Sequence, residues 1–251
     1  MKAIIFILGV MFITNSNAQK FDCPSKMTEY QELFKEKKIA ESFDTWTAVS
    51  KNCPKQNEAV YTDGIEIIQY KINNAASAEE KEKLVRDVLK LYDQYNKYFP
   101  LTTTDFEVNK AMTLVANKIY AKEEIFTLLD RGFTKASNKV TAANAIFTYF
   151  SMYCEKFNNG DKIITSNSVL EKYTLVNSLL NQLQAAKPDS NDSEQAKQNS
   201  DYKTAQTAIN KLIKDNEAKS LYADEISKAK MNGKLVAIGC WINETITFPA
   251  K

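Results

Sequence analysis

Between Cys23 and Pro54 the chain carries two short amphipathic segments back to back, with one cysteine just before the pair and one just after it. In the first, expected to be helical over Lys26–Lys37, Met27, Tyr30, Leu33 and Phe34 share a face. In the second, expected over Ile39–Lys51, Ile39, Phe43, Trp46 and Val49 recur at three- and four-residue steps, which is a helical period. Only a residue or two separates the segments, so they must fold back as an antiparallel hairpin, and Pro54 ends the unit by withholding a backbone donor. A hairpin this thin cannot bury its apolar face alone and needs a stacked neighbour.

A helical hairpin returns its two ends to roughly the same place. Cys23 and Cys53 can therefore approach within the ~7 Å Cα separation that a disulfide requires. Four cysteines allow three pairings, and this one leaves Cys154 with Cys240. Beside Tyr153, Cys154 also reads as a small buried apolar residue. There is no Cys-x-x-Cys and no metal-ligand spacing among the thiols, so neither a redox pair nor a metal or cofactor is expected.

The same period continues downstream. Helices are expected over Asn57–Ile72 (Tyr61, Ile65, Ile68, Ile72) and after the capping box Ser77/Glu80 (Leu84, Val88, Leu91, Tyr92, Tyr95). A second capping box, Thr104/Glu107, opens a helix carrying Val108, Met112, Val115 and Ile119; the next starts near Lys122 with Ile125, Leu128, Leu129 and Phe133. Ala142–Phe157 is strongly apolar, and Asn158–Asp161 is a turn before a helix with Val169, Tyr173, Val176, Leu180 and Leu183. Residues 186–200 are nearly all polar and include Pro188, which suggests a loop or linker. Helices over Asp201–Asp215 and Lys219–Lys230 follow, then a short irregular tail after Gly233. Few glycines and prolines argue against a turn-rich β architecture.

Residues 1–18 have the pattern of a signal peptide: Lys2, an apolar run from Ala3 to Ile13, and small residues through Ala18. That run is too short to cross a bilayer core of ~30 Å, and no other segment approaches a transmembrane span. A periplasmic or secreted protein is expected. Without the leader the formal charge falls from +2 to +1, and this overall balance makes no electrostatic case for nucleic acid or anionic lipid. The chain has no histidine, which removes serine–histidine and cysteine–histidine nucleophiles and most zinc sites. Glu79-Glu80 and Glu123-Glu124 sit where first-turn acids complement a helix dipole, rather than facing each other across a cleft as glycoside chemistry requires. No catalytic residues are assigned. Tyr70 and Tyr98 lie off the strongest apolar stripes and are the candidates for contact with a partner.

Ser42, Trp46, Val49 and Pro54 stand at the spacing where tetratricopeptide repeats place a small residue, an aromatic, a second small residue and a terminating proline. Val88, Tyr92, Tyr95 and Pro100 repeat that spacing less faithfully. Together with Tyr30–Leu33, Ala40–Phe43 and Asn52-Cys53-Pro54, these residues resemble the opening of exported tetratricopeptide-like proteins common in Bacteroidetes. The similarity extends through Ala142-Ala143, Tyr149-Phe150 and Tyr202–Ala205. The leucine–glycine pair and following tyrosine of the first helix of each repeat are absent.

The resemblance implies an all-α, right-handed solenoid of stacked hairpins outside the cytoplasm, of unassigned role. The expected organisation is a repeat domain over 19–185, the linker 186–200, and C-terminal helices with the tail over 201–251. The expected function is non-enzymatic binding of a protein or peptide partner. The alternatives are a cell-envelope glycan-cleaving enzyme using a glutamate acid/base, or a helical carrier of an apolar ligand.

Overall fold

The computed structural model of the protein describes residues 21–100, 105–186 and 193–214. Among these residues are nine α-helices and no strand: α1 (Cys23–Lys35), α2 (Ile39–Asn52), α3 (Ala59–Asn73), α4 (Ala78–Tyr98), α5 (Phe106–Ala116), α6 (Lys122–Ala136), α7 (Ala143–Asn158), α8 (Ser166–Ala186) and α9 (Ser193–Lys214). The segments read as leader, tenth helix and tail lie outside the described residues. Backbone contacts divide the chain into two compact units, one through Ile67 and one from Ile68 onward, with the boundary inside α3. The polar stretch 186–200 is not a linker throughout, because α9 already begins at Ser193.

In the first unit α1 starts earlier than its apolar period suggests. Asp22 caps it, accepting from the Ser25 N–H at 3.2 Å, and Pro24 occupies the first turn, where no amide donor is needed. Lys37 takes a left-handed conformation (φ 63°), with Lys37 N–H donating to Phe34 O and Lys38 N–H to Leu33 O. This Schellman closure turns the chain directly into α2. Ser42, Trp46 and Val49 are buried, and the Trp46 indole N–H donates to Val60 O of α3 at 2.7 Å. Gly64 makes that approach possible: a Cβ there would lie 2.6 Å from Trp46 Cε2 and 2.7 Å from Nε1. Tyr61 O–H donates to Pro54 O, tying α3 to the loop that follows α2. Cys23 and Cys53 are disulfide-bonded with Cα atoms 5.8 Å apart.

In the second unit the same closure recurs at two further hairpin tips. Lys118 (φ 60°) ends α5, with Ile119 N–H donating to Leu114 O; Gly160 (φ 77°) ends α7, with Asp161 N–H donating to Lys156 O. The Ser77 cap forms, with Glu80 N–H donating to the Ser77 hydroxyl, while the Glu80 carboxylate accepts from the N–H of Ala76, one residue before the Ser77 amide of a reciprocal capping box. Thr104 of the second expected box lies outside the described residues; Asp105 caps α5 through the Val108 N–H at 3.0 Å, and Glu107 pairs with Lys110 and Arg131.

Rings and ion pairs join successive helices. Phe106 meets Tyr95 edge-on (5.1 Å), Phe133 stacks on Tyr149 (4.2 Å), and Phe150 reaches Tyr173 (6.0 Å). Arg86 of α4 grips Glu124 of α6 through both carboxylate oxygens at 2.6 Å. Gly132 admits Val108, whose Cγ2 would stand 2.6 Å from an added Cβ, so α5 and α6 pack closely.

Candidate functional site

A partly open cleft of ≈ 710 Å³ lies between α5 and α9, above the start of α7. Its apolar wall comes from α5, where Met112, Val115 and Ala116 lie at helical steps. From sequence, Met112 and Val115 read as inward-facing. In the structure the inward face of α5 is instead Phe106, Val108, Ala111 and Leu114, while Met112 and Val115 are half-buried. The phase is set from outside the helix: Phe106 is drawn onto Tyr95 and Tyr92, and Val108 onto Gly132. Leu183 of α8 extends the apolar surface.

The opposite wall is polar. Glu194, Lys197, Gln198 and Asp201 fall at i, i+3, i+4 and i+7 on α9 and so share one face, while Ala205, Ala208, Ile209 and Leu212 further along the helix are buried. Tyr202 closes the end of this wall; it is almost fully buried, and that burial raises its phenol above the ordinary value. The floor is Thr141–Asn144, where α7 begins with Ala142 as N-cap and no side-chain cap. First-turn amide donors of α7 therefore adjoin the cleft. Asn109 and Asn144 add carboxamides from two further elements.

The α9 half of this site was not legible as a site, because the eight residues of α9 ahead of Asp201, all polar but Ala196, carry no apolar period. Its only sequence signal is the i, i+3, i+4, i+7 polar face, which is also the pattern of any solvated helix.

The residues singled out from sequence are dispersed. Tyr70, on α3, is 41% exposed, and Tyr98, the last residue of α4, is half-exposed beneath the Lys97 ammonium at 5.2 Å from the ring centre. Neither lines the cleft. Cys154 is fully buried in α7, and Cys240 lies outside the described residues. Of the acidic pairs, Glu123 binds Lys156 and Glu124 binds Arg86, so both join neighbouring helices.

A second cluster of titratable groups lies at the α6–α7–α8 junction. Tyr149 O–H donates to Asp130 at 2.7 Å, and the Lys172 ammonium stands over the Tyr149 and Tyr153 rings. Burial first, and then the Asp130 carboxylate, hold the Tyr149 phenol far above its ordinary range. A fully buried, neutral donor satisfied by a carboxylate serves packing.

Among the described residues no group of three or more cysteines and carboxylates is placed to hold a metal ion, and no helix is long and apolar enough to cross a membrane. The chain matches no protein-family model, no curated protein and no solved structure.

Proposed function

We propose that this protein is an exported, tetratricopeptide-like helical-repeat scaffold that binds a peptide segment of a partner protein, without catalysis, in the cleft between α5 and α9. The observation that carries this reading is the two-sided chemistry of the cleft. Met112, Val115 and Leu183 offer apolar contact, while Gln198, Asn109, Asn144 and the start of α7 offer donors and acceptors. A carboxamide presents one acceptor and two donors, which is the complement of a peptide group. The cleft volume lies within the ~300–1,000 Å³ typical of ligand sites. The odd-numbered helices α5, α7 and α9 surround it, as successive first helices do along one face of a stacked-hairpin array.

The alternatives fit this cleft less well. An apolar cargo would press hydrocarbon against Glu194, Lys197 and Asp201, which is costly for charged groups. Glu194 and Asp201 lie on one wall, about two helical turns apart along a single helix, rather than on opposite sides of a scissile bond.

The test is selection of binding peptides from a random display library by the full chain, repeated with Val115→Glu at the half-buried cleft wall, with circular dichroism checking that the variant keeps its fold. Peptides that bind the native protein and lose at least tenfold affinity for the variant support the reading. Peptides that bind both equally refute it, and release of soluble fragments from purified peptidoglycan by the protein would replace it with the enzyme.

A further inference from the structure

Two large apolar side chains are almost wholly in water, Tyr120 at 86% exposure and Ile163 at 88%. Each lies within three residues of a left-handed turn residue: Tyr120 follows Lys118 at the α5–α6 tip, and Ile163 follows Gly160 at the α7–α8 tip. A single exposed apolar residue is ordinary. These two, however, share one edge of the second unit. Lys122, two residues after Tyr120, pairs with Glu155 at 2.6 Å, and Lys156 pairs with Glu123 at 2.8 Å, so the first turn of α6 is clamped to the last turns of α7. Lys156 also reaches Asp161 at 3.3 Å, and the Asp161 carboxylate accepts from the Ile163 N–H at 2.9 Å. The backbone presenting Ile163 is therefore fixed by hydrogen bonding.

The charge at this edge is asymmetric. Glu155 is bound to Lys122, while Glu123 and Asp161 share Lys156, so three carboxylates meet two ammonium groups in these pairs. Lys118 and Lys162, both exposed and both beside the protruding residues, take part in no ion pair among the described residues. Four lysines (Lys118, Lys122, Lys156, Lys162) against three carboxylates (Glu123, Glu155, Asp161) leave this edge one charge positive, and a protruding aromatic and aliphatic pair flanked by the two lysines outside ion pairs matches an interface where hydrocarbon underlies negative charge. The whole-chain balance of +2 conceals this, because it averages over both units.

We propose that the α5–α6 and α7–α8 tips form a peripheral docking edge for an anionic lipid surface, with Tyr120 and Ile163 entering the headgroup layer and Lys118 and Lys162 lying against lipid phosphates. Binding by two side chains and two cations is weak and reversible, and none of these four residues lines the cleft, so either proposal can fail without the other.

The experiment is co-sedimentation of the full chain with vesicles of phosphatidylcholine alone and of phosphatidylcholine mixed with phosphatidylglycerol. Binding is expected only to the mixed vesicles, falling as salt is raised, since screening shortens the reach of the lysines. Tyr120→Ser with Ile163→Ser should lower the partition coefficient at least tenfold. Each of Lys118→Gln and Lys162→Gln should lower it roughly fivefold, the usual contribution of one surface lysine. Tyr70→Ser, an exposed tyrosine of α3, should leave it unchanged. All of these positions are exposed, so the variants keep the fold, which circular dichroism checks. Absence of binding by the native chain, or equal binding by the Tyr120/Ile163 variant, overturns the proposal. Self-association of the native chain that the same variant abolishes overturns it in favour of a second copy.

Discussion

Replacing the Cys23–Cys53 bridge by alanines tests the first unit where its stability is most easily calculated. The bridge joins residues 30 apart and encloses α1 and α2 entirely. Closing a loop of that length removes about 12 cal/mol/K of unfolded-chain entropy, or about 3.6 kcal/mol at 25 °C. Cys53 is buried and small, so alanine leaves little void. Because the loop lies within the unit that ends at Ile67, the loss should stay there. Each 1.4 kcal/mol is tenfold in an equilibrium, so amide exchange in α1 and α2 should accelerate by two to three orders of magnitude. Exchange in α5–α8 should change little. Hydrogen exchange read by mass spectrometry resolves both regions in one sample. Unchanged protection in α1 and α2, or an equal loss throughout α5–α8, would refute the reasoning, the first by showing no entropic contribution and the second by showing one cooperative unit.

Three further outcomes are expected. Gly64→Ala should lower stability by about 1–3 kcal/mol by thermal or urea unfolding although alanine favours helix, because the added methyl meets a rigid indole; Gly132→Ala should also destabilise, since the added methyl meets the buried, β-branched Val108 and the Asp105 carboxylate. Lys37→Gly should raise stability by about 0.5–1 kcal/mol, the left-handed penalty of an L residue less the extra entropy of glycine in the unfolded chain; a decrease would mean that the Lys37 side chain contributes contacts of its own. Asp63, which accepts from Tyr30 at 3.3 Å, has its carboxyl raised chiefly by burial, so the folded state holds the proton more tightly than the unfolded chain and stability falls as pH rises above 3.8 through that window. Asp63→Asn should accordingly raise Tm near pH 7 and leave it unchanged near pH 3, and a lower Tm at neutral pH would show that the ionised form is favoured.

Much of the helix order was legible because it depends on local period and local chemistry. The buried face of α6 (Ile125, Leu128, Leu129, Phe133) is where its spacing places it, as are Trp46 and Val49 of α2, whereas Ile39 and Phe43 of the same stripe are only half-buried. Legibility failed where a partner helix decides the outcome. The start of α1 followed a cap at Asp22 rather than the first apolar residue, and α5 is rotated by its neighbours, which turned Met112 and Val115 from expected core into cleft wall. Tyr70 and Tyr98 were chosen for lying off the stripes, a criterion that identifies exposure but not convergence.

By itself the amino-acid order determined that much of this chain is helical, that Cys23 and Cys53 flank the first helical pair where a bridge can form, and that histidine-based chemistry is absent, since these depend on composition and on neighbours a few residues apart. Only the tertiary structure decided which polar face became a cavity wall and which turn residues came to share an edge. Glu194 and Met112, or Tyr120 and Ile163, are separated along the chain by whole helices, and their proximity depends on the packing phase of every helix between them.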